Sequence, residues 1–131
     1  TKLRKLQRPW TRSKDSMAEH RLARIERQLL EELSGILMRR EIKDPRVSPM
    51  VSFSHAKVSK DLAYARIWVS GYLSDNELSG AVDGLNHAAG FLQGKLGKTL
   101  RYRSTPKLTF VMDHSIEQSY QIIQKLKEVN E

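Results

Sequence analysis

Apolar residues in the first third of the chain recur at spacings of three and four. They are Leu22, Ile25, Leu29, Leu33, Ile36 and Leu37. An α-helix brings such positions to one face, so this pattern predicts an amphipathic helix from about Ala18 to Glu41. We expect the helix to stop near Asp44, because the ring of Pro45 disfavours helical geometry in the residue before it.

Two strands are predicted next, at about residues 50–59 and 62–72, with a tight turn at Lys60 and Asp61. In the second strand, one set of alternate positions is small or apolar, and the other is Tyr64, Arg66, Trp68 and Ser70. This period of two is typical of a strand with one buried face. For Tyr64 and Trp68 we expect packing, and stacking on RNA bases is the alternative.

The elements predicted after residue 73 are two helices, a strand and a terminal helix. Ser74 and Glu77 have the spacing of a capping box, in which the two side chains satisfy amides at a helix start. The inner stripe of this helix is Leu78, Val82, Leu85 and Ala89, and a second stripe continues through Leu92, Leu96 and Leu100. Pro106 opens a last strand that reaches about Met112, and the apolar spacing beyond Asp113 predicts a terminal helix.

These elements indicate a single α+β domain. Three strands cannot bury both faces of a sheet, so we expect the helices to cover one side. A chain of 131 residues has room for one hydrophobic core. We predict a basic, disordered extension over residues 1–16, the folded domain over 17–114 and a C-terminal helix over 115–131.

The charge distribution points to a polyanionic partner. The net charge is +8, of which +5 falls in residues 1–16. Residues 86–112 then contain five cations and no acid, and these are Lys95, Lys98, Arg101, Arg103 and Lys107. The chain has no cysteine and no apolar run long enough for a membrane span, which favours a cytoplasmic protein without membrane contact.

Glycines concentrate in the stretch read as helical, although each interior glycine costs about 1 kcal/mol relative to alanine. They are Gly80, Gly84, Gly90, Gly94 and Gly97. We expect Gly80 and Gly84 to allow tight packing of helix on sheet. At Gly90 a break between two helices is a simpler explanation than tight packing, because the second helix would then direct its first N–H groups at an anion.

The order α-β-β-α-α-β with a small-residue kink resembles the type II KH domain, an RNA-binding fold whose G-x-x-G loop clamps a nucleic-acid backbone. A literal G-x-x-G occurs at residues 94–97, but Leu96 continues the helical stripe, so we interpret it as part of a helix. The kink reads Ala88-Ala89-Gly90, and an A-x-G kink resembles that of the ribosome-binding factor A family. Four further segments agree with this family, at residues 40–46, 58–65, 90–98 and 101–110.

The resemblance implies a KH-like factor that binds the small (30S) ribosomal subunit and its 16S ribosomal RNA. In family members it implies support for late maturation, processing of the RNA ends and growth in the cold. We expect a monomer with no cofactor, no metal and no small-molecule substrate. The candidate RNA-binding residues are Ala88, Ala89, Gly90, Lys95, Lys98, Arg101, Arg103 and Lys107, a second basic run of Arg39, Arg40, Lys43 and Arg46, and Lys60 and Arg66.

An enzyme and a protein-binding scaffold are the two alternative classes of function. An enzyme is disfavoured, since the four histidines show no metal-ligand spacing and no Walker-type phosphate loop is present. The string Asp113-His114-Ser115 cannot form a relay, because adjacent residues at a strand end point in different directions. A KH-like scaffold that binds proteins through the acidic C-terminal segment, without RNA contact, stays open as the alternative.

Overall fold

The computed structural model describes residues 13–100 and 105–114. In chain order the elements are α1 (Ser13–Met38), β1 (Val51–Val58), β2 (Tyr64–Gly71), α2 (Asp75–His87), α3 (Ala89–Leu100) and β3 (Lys107–Met112). The predicted α+β order is therefore confirmed. The terminal helix, like Arg101 and Arg103, falls on residues outside the described part of the chain.

Helix α1 differs from its predicted bounds at both ends. It begins at Ser13, so residues 13–16 of the expected extension are helical. It ends at Met38 because Arg40 adopts the left-handed conformation, with φ of 57°. The Arg40 N–H donates to Leu37 O at 3.0 Å and the Glu41 N–H donates to Ile36 O at 3.2 Å, which is a Schellman motif. The helix thus ends well before Pro45, by a local hydrogen-bond pattern that the proline does not impose.

The three strands form one sheet in the order β1-β2-β3. Strands β1 and β2 pair antiparallel, with a bulge between Phe53 and His55, and β2 and β3 pair parallel. Residues from the three described helices and from one face of the sheet make a single core, in which the Phe53 and Phe110 rings lie 5.9 Å apart. The expectation that helices cover one side of the sheet is confirmed.

The opposite face of the sheet is open. Tyr64 is 62% exposed there, so the expectation that this ring is a packing residue is wrong. Trp68 is half-buried, with its ring 5.0 Å from that of His55 on the neighbouring strand. Within residues 13–100 and 105–114, the helices pack on the other face, and only Glu19 and Leu22 of α1 line the edge of this one.

Side chains of α2 fix the start of that helix and its docking on the sheet. Ser74 caps α2 as predicted, with its Oγ accepting from the Glu77 N–H at 3.2 Å. The Glu77 carboxylate accepts from the Ser74 hydroxyl at 2.9 Å instead of reaching the backbone. Near the other end, the Asn86 amide donates to Phe110 O at 2.9 Å and accepts from the Phe110 N–H at 2.8 Å. This double hydrogen bond ties α2 to β3 immediately before the helices bend.

Candidate nucleic-acid interface

The bend between α2 and α3 is confined to one residue. Ala88 leaves helical geometry, at φ −87° and ψ 3°, and its N–H donates to Gly84 O at 3.0 Å. Helix α3 starts at once, with the Leu92 N–H donating to Ala88 O at 3.0 Å. The predicted helix break is confirmed, and Gly90 lies in the first turn of α3 rather than at the bend. As the cap of α3, Ala88 has no side-chain oxygen to accept from the first-turn amides, unlike the usual Ser, Thr, Asp or Asn.

The glycines serve different purposes. A Cβ on Gly84 would lie 2.9 Å from Val47 Cγ2 and 3.1 Å from Asp44 Cγ, so this glycine packs against the loop after α1 and not against the sheet. A Cβ on Gly80 would meet nothing within 4 Å, and the expectation of tight packing there is wrong. Gly90 also faces open space. The G-x-x-G at residues 94–97 lies inside α3 with Leu96 fully buried, which confirms that it is not a loop.

A cleft of about 490 Å³ opens beside the bend. We call it the kink groove, and it is lined by Glu41, Lys43, Asp44, Pro45, His87, Ala88 and Phe91. The loop after α1, which carries Lys43, therefore meets the bend between α2 and α3 although the two are far apart in sequence. Phe91, which is 49% exposed, is a site residue that the sequence reasoning missed. Its signal was an aromatic residue lying off the buried stripe of Leu92 and Leu96.

Glu41, an acid in the loop after α1, lies next to Lys95, one of the predicted RNA-binding cations. Lys95 Nζ lies 2.7 Å from Glu41 Oε2 and 5.6 Å from the centre of the Phe91 ring. Glu41 Oε2 accepts no well-aligned hydrogen bond, so the contact with Lys95 is best described as an ion pair. The Lys95 ammonium, and after it the Arg39 guanidinium, hold the pKa of Glu41 below its usual value. The expectation that these cations have no acidic neighbour is wrong for Lys95.

The second basic run is partly neutralised in the same way. Arg39 Nε lies 3.2 Å from Glu41 Oε1, and Arg46 Nη2 lies 2.8 Å from Asp44 Oδ2. The side chain and backbone N–H of Arg46 lower the pKa of Asp44 to about 2. Arg40 and Lys43 are exposed, and neither forms an ion pair within residues 13–100 and 105–114. These two therefore carry the uncompensated charge of the run.

The remaining candidates do not all gather at the kink groove. Lys98 is exposed in the last turn of α3. Lys60 lies in the turn before β2, while Arg66 and Lys107 project from exposed positions of β2 and β3. Their positions alternate with buried residues that face the helices, so Arg66 and Lys107 belong to the open face of the sheet. The candidates thus divide between two surfaces.

The described part of the chain, residues 13–100 and 105–114, holds no membrane-spanning helix and no metal-binding cluster. None of its helices combines the length and apolar character needed to cross a bilayer. Its acidic and histidine side chains form no group of three or more that could hold a metal ion.

Sequence comparisons give consistent relatives. The family model described as ribosome-binding factor A matches residues 21–126. The ribosome-binding factor A of Treponema denticola is 42% identical over 111 residues, which cover 85% of this chain and 84% of the relative. The ribosome-binding factor A of Dictyoglomus thermophilum is 44% identical over 109 residues, which cover 83% of this chain and 90% of the relative.

Solved structures agree with this fold. The crystal structure of ribosome-binding factor A from Thermus thermophilus superposes with a TM-score of 0.62 at 24% identity, over 72% of this chain and 97% of that one. A homology model of Thermus thermophilus ribosome-binding factor A, fitted into a cryo-EM map of a 30S complex, superposes with a TM-score of 0.54 at 25% identity, over 73% of this chain and 94% of that one. Since the family model spans most of the sequence and these relatives are more than 40% identical over more than four fifths of both chains, the chain belongs to the ribosome-binding factor A family.

Proposed function

We propose that this protein binds the small ribosomal subunit and its 16S ribosomal RNA, with the kink groove as a principal contact. The observation that carries the proposal is the meeting of Lys43, Ala88 and Phe91 in one cleft, at the start of the helix whose first turn contains Gly90. The Thermus thermophilus relative in a 30S complex supports the choice of the small subunit as partner. The protein acts without catalysis, as a monomeric cytoplasmic assembly factor.

Binding begins with electrostatic docking. Arg40, Lys43 and Lys98 meet phosphates, and the release of condensed counterions supplies much of the free energy. Lys95 contributes by exchanging its Glu41 partner for phosphate. The missing side chain at Gly90 then lets an RNA backbone approach the first turn of α3, where the helix dipole favours negative charge. Phe91 offers an apolar surface for a base or ribose at the same place.

The biological role proposed from the family resemblance is late maturation of the small subunit. It includes processing of the 16S RNA ends and support of growth in the cold. This protein would hold the RNA while separate enzymes act on it. The highly purified protein should therefore show no cleavage of precursor RNA in a nuclease assay.

Co-sedimentation tests the partner. We expect the protein to co-sediment with isolated small subunits and not with intact ribosomes. Affinity for small-subunit RNA should fall steeply with salt, with a log-log slope of roughly −3 to −5 if four to six phosphates are engaged. Neutralising Lys98, Arg101 and Arg103 together should weaken binding strongly. A slope near zero would favour the protein-binding scaffold instead.

A glycine pair tests the groove itself. A Cβ at Gly90 or at Gly94 meets nothing within 4 Å, and both residues are exposed in α3, so valine at either position should change the free energy of unfolding only slightly. We expect Gly90→Val to weaken small-subunit binding about tenfold and Gly94→Val to leave it within twofold. Equal binding by the two variants would show that RNA does not approach the bend.

A further inference from the structure

The open face of the sheet carries rings and cations together. Its outward positions include Lys57 on β1, Tyr64, Arg66 and Trp68 on β2, and Lys107 on β3, which we call the sheet platform. The helices occupy the other face, so the sheet platform is a different surface from the kink groove.

The rings of the sheet platform are spaced along one strand. Tyr64 and Trp68 are four residues apart on β2, which places them about 13 Å apart on the same face. Arg66 lies between them, with its guanidinium carbon 5.9 Å from the centre of the Trp68 ring. The Tyr64 ring is 62% exposed and is available to a ligand, whereas Trp68 is partly covered by His55.

Cations surround the rings. In the strand register Lys57 lies opposite Arg66 and Lys107 lies opposite Tyr64. None of the residues of β1, β2 and β3 is acidic. A cleft of about 600 Å³ continues this surface past Lys60 to Glu19 of α1, the one acid of its lining. The charge therefore suits a polyanion.

We propose that the sheet platform binds single-stranded RNA, separately from the backbone contact at the kink groove. Exposed rings on a strand stack on bases, and each stack contributes substantially to affinity with little sequence preference. Duplex RNA cannot offer its base faces in this way, so alternating rings and cations on an open sheet favour an unpaired strand. This contact goes beyond the proposed function, and either surface could operate without the other.

Fluorescence of the full chain tests the proposal. The two tryptophans are Trp10 and Trp68, so in a Trp10→Phe background the emission reports on Trp68 alone. Titration with an oligouridylate of about ten nucleotides should quench this emission and give an affinity. We expect Tyr64→Thr, which keeps a β-branched strand residue, to weaken that affinity about tenfold, and Tyr64→Phe to keep it within twofold. Thermal unfolding of both variants checks that the domain is intact.

The outcomes separate this proposal from the previous one. Binding of Tyr64→Thr within twofold of the parent, or equal affinity for a duplex of the same length, would overturn the sheet platform as a single-strand site. So would emission that RNA leaves unchanged, as expected if another segment of the chain covers this face. Loss of small-subunit binding by Gly90→Val alone would support only the kink groove, and loss of oligonucleotide binding by Tyr64→Thr alone would support only the sheet platform.

Discussion

Glu41 Oε2 lies 2.7 Å from Lys95 Nζ and joins the loop after α1 to helix α3 beside the kink groove. The same carboxylate contacts Arg39, so one acid restrains two cations that could otherwise meet phosphate. An exposed ion pair of this kind adds little to stability. Its main effect is to compensate the charges of Lys95 and Arg39 beside the groove.

The variant Glu41→Gln should therefore bind RNA more tightly. Removing the acid leaves Lys95 and Arg39 available to phosphate, so the log-log salt slope should become steeper by about one to two. Filter binding to small-subunit RNA at several salt concentrations measures this. Glu31→Gln, at an exposed position of α1, removes the same charge elsewhere and controls for net charge. A slope equal to that of the control would show that neither cation is engaged.

A pH titration should reveal the ion pair between Asp44 and Arg46. The pKa of Asp44 is lowered from 3.8 to about 2, so the ionised form is favoured by folding. The contribution to the free energy of unfolding is then complete above pH 3.8 and is lost as the pH falls through about 2. NMR titration of the Asp44 carboxyl carbon measures the pKa directly. In Arg46→Gln the pKa should return toward its ordinary value, and an unchanged titration would contradict this cause.

Glycine positions in α2 should respond oppositely to the same substitution. Gly84→Ala places a Cβ against the side chains of Val47 and Asp44, and this overpacking should destabilise the domain by about 1–3 kcal/mol. Gly80→Ala meets open space within the same helix and should stabilise it by about 0.5–1 kcal/mol. Urea denaturation compares the two. Equal effects would mean that the loop after α1 does not pack on Gly84.

The substitution Arg40→Gly should change stability and RNA binding in opposite directions. Its left-handed conformation suits glycine, so Arg40→Gly should raise the free energy of unfolding by about 0.5–1 kcal/mol. The same change removes a cation beside the kink groove and should weaken RNA binding. Arg40→Ala is the matched control, because it loses the charge and keeps the backbone strain. If the alanine variant is as stable as the glycine variant, strain at this residue is negligible.

The sequence by itself determined the elements and their order. The helical stripe through Leu29 and Leu33, the alternation around Ile67 and the cap at Ser74 are local patterns, and local hydrogen bonding and burial follow directly from them. The helix break near Ala88 could also be predicted from the sequence, because clustered small residues disfavour an uninterrupted helix. The family motifs then indicated a ribosome-binding factor, and the family model matches residues 21–126.

Only the tertiary structure decided which charges act together. Glu41 and Lys95 are separated by more than fifty residues, and nothing in either segment indicates that they pair. Gly80 and Gly84 look alike in sequence, yet of the two only Gly84 has neighbours so close that an added Cβ would overlap them. The separation of Arg66 and Lys107 from the kink groove depends on which face of the sheet each side chain takes. Electrostatic potential and close packing depend on distances through space, and those distances exist only after the chain has folded.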